Sequence, residues 1–145
     1  MLAIGSDHGG YELKQAIIEL LQERGIAYRD MGTSGDESVD YPDFADKVAR
    51  AVTAGEARAG ILICGTGIGM SISANKRAGI RAALVHDSYT ARMAREHNDA
   101  NILVMGGRVL SSDLAKQIVA VWLDSDYEGG RHQRRLDKIA ALEND

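Results

Sequence analysis

The only cysteine of the chain opens a glycine-rich segment that could bind an anion. Residues 64–69 read CGTGIG, and glycines at alternate positions let the backbone approach a ligand closely. If a helix starts directly after this segment, its N–H groups bind the anion and also stabilise a thiolate on Cys64. The residues therefore predict a reactive thiol beside an anion site, or a small apolar side chain that ends a buried strand. The motif itself leaves both interpretations open.

A nucleotide-binding loop is an alternative interpretation of the same glycines. A dinucleotide fingerprint requires a third glycine at position 70, where the chain has Met70, and a P-loop requires a lysine that this segment lacks. The segment also follows the third predicted strand, whereas the fingerprint follows the first. We therefore expect no nucleotide cofactor.

Two pairs of residues could perform acid–base chemistry. Asp7-His8 follows the first apolar run, and His97-Asn98 stands between a helical pattern and a strand. Histidine gives and takes protons near neutral pH, so His8 or His97 could serve as a general acid or base. A histidine at the end of a helix is also common as a cap or surface residue.

A metal centre is not expected from the sequence. His8 and His86, each beside an aspartate, could be imagined as ligands, but no ligand spacing supports this arrangement. A single cysteine also excludes a cysteine-based zinc cluster and an intrachain disulfide.

The one basic concentration lies near the carboxyl terminus. Residues 131–135 read RHQRR, and Arg131 and Arg135 share one helix face at i, i+4 spacing. Guanidinium groups bind phosphate in a bidentate manner, although a solvated basic face is the alternative. Because cations at the start of a helix oppose its dipole, phosphate binding is the favoured interpretation.

Short apolar runs alternate with amphipathic segments along the whole chain. Strands are predicted at 2–4, 26–31, 61–64, 82–85 and 102–105, the second of them near a sheet edge, with helices between them and a last helix from about residue 131. This alternation predicts right-handed βαβ crossovers and an α/β fold, a Rossmann-like three-layer αβα sandwich with a five-stranded parallel sheet. We expect one domain, 1–145. Residues 7–8, 64–67, 86–87 and 106–108 follow the strands, at the edge where such sheets bind ligands.

Composition and charge narrow the class of protein further. The 145 residues carry a net charge of −4, which offers no broad basic surface to nucleic acid. The first residues turn polar too early for a signal peptide, so we expect none, and no apolar run reaches the ~20 residues that span a bilayer. A cytoplasmic protein without a membrane or nucleic-acid partner is expected.

Seven segments together resemble the type B ribose-5-phosphate isomerase family, over essentially the whole chain. They are residues 5–10, 40–42, 60–67, 73–76, 79–82, 96–101 and 128–132. The resemblance implies interconversion of ribose 5-phosphate and ribulose 5-phosphate through a cis-enediol, without metal or cofactor. The resemblance implies Cys64 as the base that moves the proton between C1 and C2, because Met70 stands where some relatives use a glutamate.

The resemblance also assigns roles to the other candidates. Thr66 would move a proton between the two oxygens, and His97 would open the sugar ring with help from Asp7. The remaining substrate-binding residues would be the loop Gly65, Gly67, Ile68 and Gly69, the hydroxyl or phosphate ligands His8, Tyr41 and Asn98, and the phosphate ligands Arg108, Arg131 and Arg135.

The resemblance further implies a homodimer, or a dimer of dimers, with active sites shared between subunits. His97, Asn98 and the arginines would come from the partner, and the last helix would pack on or reach it. Two alternatives stay open: an isomerase for allose 6-phosphate, galactose 6-phosphate or a tetrose phosphate, and a non-catalytic module that binds sugar phosphates or nucleotides.

Overall fold

A computed structural model describes residues 1–144 of the chain, whose five strands all belong to one parallel sheet. The strands are β1 (Leu2–Ser6), β2 (Tyr28–Asp30), β3 (Ala59–Cys64), β4 (Ala82–Leu84) and β5 (Ile102–Gly106). The helices are α1 (Tyr11–Glu23), α2 (Tyr41–Thr53), α3 (Ile68–Ala74), α4 (Ser88–Glu96), α5 (Ser112–Asp124) and α6 (Arg131–Leu142). The strand order is β2-β1-β3-β5-β4, so the predicted five-stranded parallel sheet is confirmed.

Helices cover both faces of this sheet and make the predicted three-layer sandwich. Alternate strand residues point to opposite faces, and each face has its own core: Ile61 and Ile63 pack with α1, α4 and α5, while Leu62 packs with α2 and α3. Every residue of β3 is buried, as a central strand covered on both faces requires.

The two edge strands are short. β2 pairs only with β1, as its less apolar sequence predicts, and has three residues. β4 also has three residues, all half-buried, and pairs only with β5. Leu136 and Ile139 of α6 lie beside residues 81–85 on this side of the sheet.

The chain leaves the neighbouring strands β1 and β3 toward opposite sides of the sheet. This arrangement opens a crevice between their carboxyl ends, the place where parallel sheets bind ligands. From β1 the chain goes outward to β2 on one side; from β3 it goes to the edge strand β4 on the other side and then returns to β5, which lies between β3 and β4. The loops that follow two such strands diverge, and this position in the sheet is called a topological switch point. No helix among residues 1–144 is long and apolar enough to cross a membrane.

Candidate active site

Asp7 directly follows β1 and Cys64 ends β3, the two strands that border this crevice. The N–H of Asp7 donates to the carbonyl oxygen of Ile63, 3.2 Å away, which ties the two strand ends together. Oδ1 of Asp7 accepts hydrogen bonds from the N–H groups of Gly9 (2.9 Å) and Gly10 (3.1 Å). This carboxylate therefore caps the 3-10 turn between β1 and α1, a local role in addition to the ring-opening role that the resemblance implies.

Cys64 is held between two loops. Its side chain is buried, with 4% of the residue exposed, and its carbonyl oxygen accepts from the N–H of Gly107 at 2.8 Å. The carbonyl of Gly65 accepts from the N–H of Arg108 at 2.9 Å. Since these bonds join the loops after β3 and β5, the thiol sits on a fixed backbone. The thiol is buried and stands at the entrance of the glycine loop, so its reactivity stays a prediction.

The glycine loop leads directly into α3, as the sequence predicts. Gly67 has a φ of +84°, and a Cβ there would lie 3.0 Å from the carbonyl of Met105, so both backbone angle and space require glycine. The hydroxyl oxygen of Thr66 accepts from the N–H of Ile68 at 3.3 Å. Thr66 is exposed, and its hydroxyl therefore lies at the open end of the loop, where the first-turn N–H groups of α3 begin.

Tyr41 comes from a different element and reaches the same loop. It is the first residue of α2, and its ring packs against the Cα of Gly69 so closely that a methyl group there would overlap it. The residue remains 39% exposed. Tyr41 therefore stands beside the glycine loop, where a bound ligand could reach its hydroxyl.

Arg108 and His8 line an adjoining cleft of about 510 Å³. Gly9 and Gly65 let the guanidinium of Arg108 lie on the backbone, because Cβ atoms there would be 3.4 Å from its Cζ and 3.1 Å from its Nη1. Nδ1 of His8 accepts a hydrogen bond from the N–H of Val39 at 3.2 Å. This bond requires an unprotonated Nδ1, so a neutral His8 carries its proton on Nε2.

The other candidates lie at the opposite end of the sheet. His97 follows α4, and the nearby carbonyl of Asn101 accepts from the N–H of Gly60 at the start of β3. Cys64 is four residues further along this strand, about 13 Å away at 3.3 Å per residue. Asn98 lies in this segment too. Within one chain, His97 therefore does not reach Cys64.

The start of α6 lies beside His97 as well. The N–H of Glu128 donates to the carbonyl of Glu96 at 3.0 Å, which places Arg131 and the following turn beside His97. Arg131 and Arg135 are both exposed, one helical turn apart. The structure thus divides the predicted site residues into one group around Cys64 and a second group around His97.

His132 and Glu128 belong to this second group and were not among the predicted site residues. The rings of His97 and His132 stack with centroids 4.2 Å apart and an angle of 17° between their planes. Burial lowers the pKa of His132 below 6.5, and the nearby His97 and Arg131 lower it further, against the opposing effect of Glu128. The sequence carries a weak sign of the pair, since Glu128 and His132 are four residues apart. The contact with His97 is long-range and leaves no local pattern.

These features define an α/β protein with a thiol and a glycine loop at the switch point of a parallel sheet. Residues 2–139 match the family model described as Ribose/Galactose Isomerase. The chain belongs to this family and is an isomerase.

Individual relatives match almost the whole chain. Ribose-5-phosphate isomerase B of Escherichia coli is 52% identical, covering 98% of this chain and 95% of that protein. D-erythrulose-4-phosphate isomerase of Pectobacterium atrosepticum is 43% identical, covering 99% and 95%. The solved structure of ribose-5-phosphate isomerase B from Clostridium thermocellum has a TM-score of 0.97 at 58% identity and covers 99% of this chain and 97% of its own.

Proposed function

We propose that the chain interconverts ribose 5-phosphate and ribulose 5-phosphate through a cis-enediol intermediate. The observation that carries this proposal is the position of Cys64, whose thiol ends a central strand beside the glycine loop. A base at this point can act on a sugar carbon while the backbone around it binds the oxygens. The relative in Escherichia coli and the structure from Clostridium thermocellum, both named for this activity, support the choice of substrate.

In the proposed mechanism Cys64 acts as a base and then as an acid. The thiolate removes the proton from C2 of the open-chain aldose, and the electron pair forms the C1–C2 double bond of the enediolate. The thiol then returns the proton to C1, which gives the ketose. Thr66 carries a proton from one substrate oxygen to the other during this step.

The N–H groups of residues 65–70 would stabilise the charge that develops on the substrate oxygens. Fixed donors at a developing oxyanion contribute on the order of 3 kcal/mol each. The bonds that join the loops after β3 and β5 support this role, because they hold the donors in place before the substrate arrives.

His97 would open the furanose ring, with Asp7 as its helper, before the proton transfer. The proposal further assigns sugar hydroxyls or phosphate to His8, Tyr41 and Asn98, and phosphate to Arg108, Arg131 and Arg135. Arg108 borders the cleft that adjoins the glycine loop, which suits a group that holds one end of a short sugar phosphate.

The site would be completed by a second copy of the chain in a homodimer, alone or within a dimer of dimers. Two observations support this. His97 and Cys64 lie at opposite ends of the sheet within one chain, so His97 must come from another copy to reach the thiol. Ile68 and Ile72, one turn apart on α3 next to the glycine loop, are 53% and 60% exposed. An apolar pair this exposed is typical of a surface that another subunit covers.

Catalysis would need no metal or other cofactor, since a thiol, a hydroxyl, an imidazole and backbone N–H groups supply every proton transfer. We also propose a cytoplasmic location, which suits a chain whose only cysteine must stay reduced to act as a base.

A panel of sugar phosphates tests the proposal. The panel contains ribose 5-phosphate, allose 6-phosphate, galactose 6-phosphate and a tetrose 4-phosphate, and we expect the highest kcat/KM for ribose 5-phosphate. We also expect no loss of activity when a chelator is added. The Pectobacterium atrosepticum relative favours a tetrose phosphate as the second candidate. A preference for that substrate would replace the pentose in the proposal, and saturable binding without turnover would identify a non-catalytic binding module.

A further inference from the structure

Three potential metal ligands meet at the end of α4 and the start of α6. They are His97, Glu128 and His132, and one ligand atom from each lies within 4.8 Å of the others. Nε2 of His97 is 3.9 Å from Oε2 of Glu128, and Nε2 of His132 is 3.6 Å from the same oxygen. Both imidazoles thus present the same nitrogen to one carboxylate.

This donor set is one that Zn²⁺ prefers. Two imidazole nitrogens and one carboxylate oxygen make a three-ligand site whose fourth tetrahedral position stays open to water. Ligand atoms about 2.0–2.1 Å from a tetrahedral zinc lie about 3.3 Å from one another. The two nitrogen–oxygen distances need to shorten by well under 1 Å, and Glu128, with 52% of its side chain exposed, has room to move. Because the two imidazole rings are stacked, His97, with 36% of its side chain exposed, must also tilt to aim its lone pair at the same ion as His132.

The surroundings of the cluster favour a metal that binds imidazole tightly. His132 is buried, and its Nε2 lies 3.6 Å from the Glu128 carboxylate, where it can take part in a shared site. The positive charges of Arg131 and Arg135 also act on His132 and oppose any cation, whereas Glu128 attracts one. Hard ions such as Mg²⁺ depend on carboxylate and water ligands, while imidazole suits zinc.

We propose that His97, Glu128 and His132 form an inhibitory Zn²⁺ site. The inhibition, though not the binding, rests on the proposed function, in which His97 opens the sugar ring. A zinc ion on Nε2 of His97 occupies the lone pair that would take or give the proton, so the bound metal stops ring opening. The thiol of Cys64, at the other end of the same chain, takes no part in the binding.

Competition with a chromogenic zinc chelator tests the binding without any need for activity. We expect the full-length wild type to bind one Zn²⁺ per chain at this site. Changing an outer partner of a metal site costs about 10–100-fold in affinity, so Glu128→Gln and His132→Gln, which remove direct ligands, should weaken binding at least that much.

Two matched variants control for other sites. Asp126→Asn removes an exposed carboxylate in the same connection, and Cys64→Ser removes the thiol. Both should bind zinc as the wild type does. Equal affinity in the wild type and in Glu128→Gln would overturn the proposed site, as would loss of binding in Cys64→Ser.

Isomerase assays then test the inhibition. We expect Zn²⁺ to inhibit the wild type and Asp126→Asn, a chelator to restore the rate, and Glu128→Gln to keep its activity at zinc concentrations that stop the wild type. If Glu128→Gln were inhibited equally, the inhibitory role would be wrong. If the wild type turned over no sugar phosphate, the proposed function would fail, while the chelator competition would still decide whether the site exists.

Discussion

The ring of Tyr41 lies directly on the Cα of Gly69, so that a methyl group at position 69 would overlap Cε1 and Cζ of the tyrosine. This contact joins the start of α2 to the first turn of α3. Gly69→Ala should push the ring or the loop aside, and a displacement of about 1 Å at a reacting site can cost ~10²-fold in rate. We expect a loss of that order in kcat/KM for ribose 5-phosphate.

Two further variants show whether the contact is the cause. Gly35→Ala is the control, because a Cβ at Gly35 meets nothing within 4 Å, and we expect near wild-type activity. In a Tyr41→Ala background Gly69→Ala should cost little more, since the overlapping ring is gone. An undiminished cost in that background would show that the ring contact is not responsible.

Mixed dimers should recover activity from two inactive variants. If each site combines Cys64 of one chain with His97 of the other, a heterodimer of Cys64→Ser and His97→Gln contains one intact site and one site with both changes. Random pairing in a two-fold dimer then gives about a quarter of the wild-type sites. The measurement is the rate after the two variants are unfolded and refolded together, compared with each refolded alone. A rate no higher than the average of the two would contradict shared sites.

Lys14 should contribute strongly to stability, although it takes no part in the chemistry. Its side chain is fully buried, with Nζ 2.6 Å from Oδ1 of Asp30 and 2.6 Å from the carbonyl of Thr33. Lys14→Met leaves both oxygens without their partner, and since Asp30 is 38% exposed we expect a loss of about 2 kcal/mol, below the full cost of breaking a buried pair.

Urea unfolding measures this loss, with Lys116→Met as the matched control. Lys116 pairs with Glu19 at 3.5 Å on the surface, and exposed pairs of this kind contribute at most about 1 kcal/mol. An equal loss in free energy of unfolding in the two variants would show that the buried Lys14–Asp30 pair stabilises the fold no more than a surface pair does.

Asp87 should titrate below its ordinary pKa of 3.8. Its Oδ1 accepts from the N–H of Thr90 at 2.7 Å and from the Thr90 hydroxyl at 2.8 Å, and these bonds, the backbone bond first, lower the pKa. A lowered folded-state pKa means that the carboxylate stabilises the fold above pH 3.8 and loses that contribution as the pH falls through the folded value.

NMR titration of the Asp87 carboxyl carbon checks this prediction. We expect a midpoint below 3.8 in the wild type and a partial return toward it in Thr90→Val, which keeps the backbone N–H but loses the hydroxyl. A wild-type midpoint at or above 3.8 would mean that the cap does not favour the charged form.

Local patterns in the sequence predict most of the fold. The apolar run at residues 61–64 lies within β3, and the less apolar β2 forms an edge. Asp87 and Ser111 cap α4 and α5, and both are residue types that favour the start of a helix. Each of these depends on residues close together in the chain, where periodicity and capping chemistry act.

Contacts between distant residues were not predictable in this way. Lys14 lies among the buried residues of α1. From the sequence alone a lysine is expected on the surface, and only the structure shows that Asp30 pairs with it. The stacking of His132 on His97 likewise depends on how α6 returns beside α4. The sequence singled out His97 as chemistry-bearing, but only the sheet shows that it stands far from Cys64 in its own chain.

The rate of ribose 5-phosphate isomerisation by Cys64→Ser, measured in the presence of chelator, tests the central claim most directly. Serine keeps the size of the side chain but ionises far less readily than a thiol, and loss of a positioned general base costs typically 10²–10⁴-fold. We predict a fall in kcat of at least about 10²-fold with the fold intact by circular dichroism. A variant that isomerises ribose 5-phosphate at the wild-type rate would show that Cys64 is not the base.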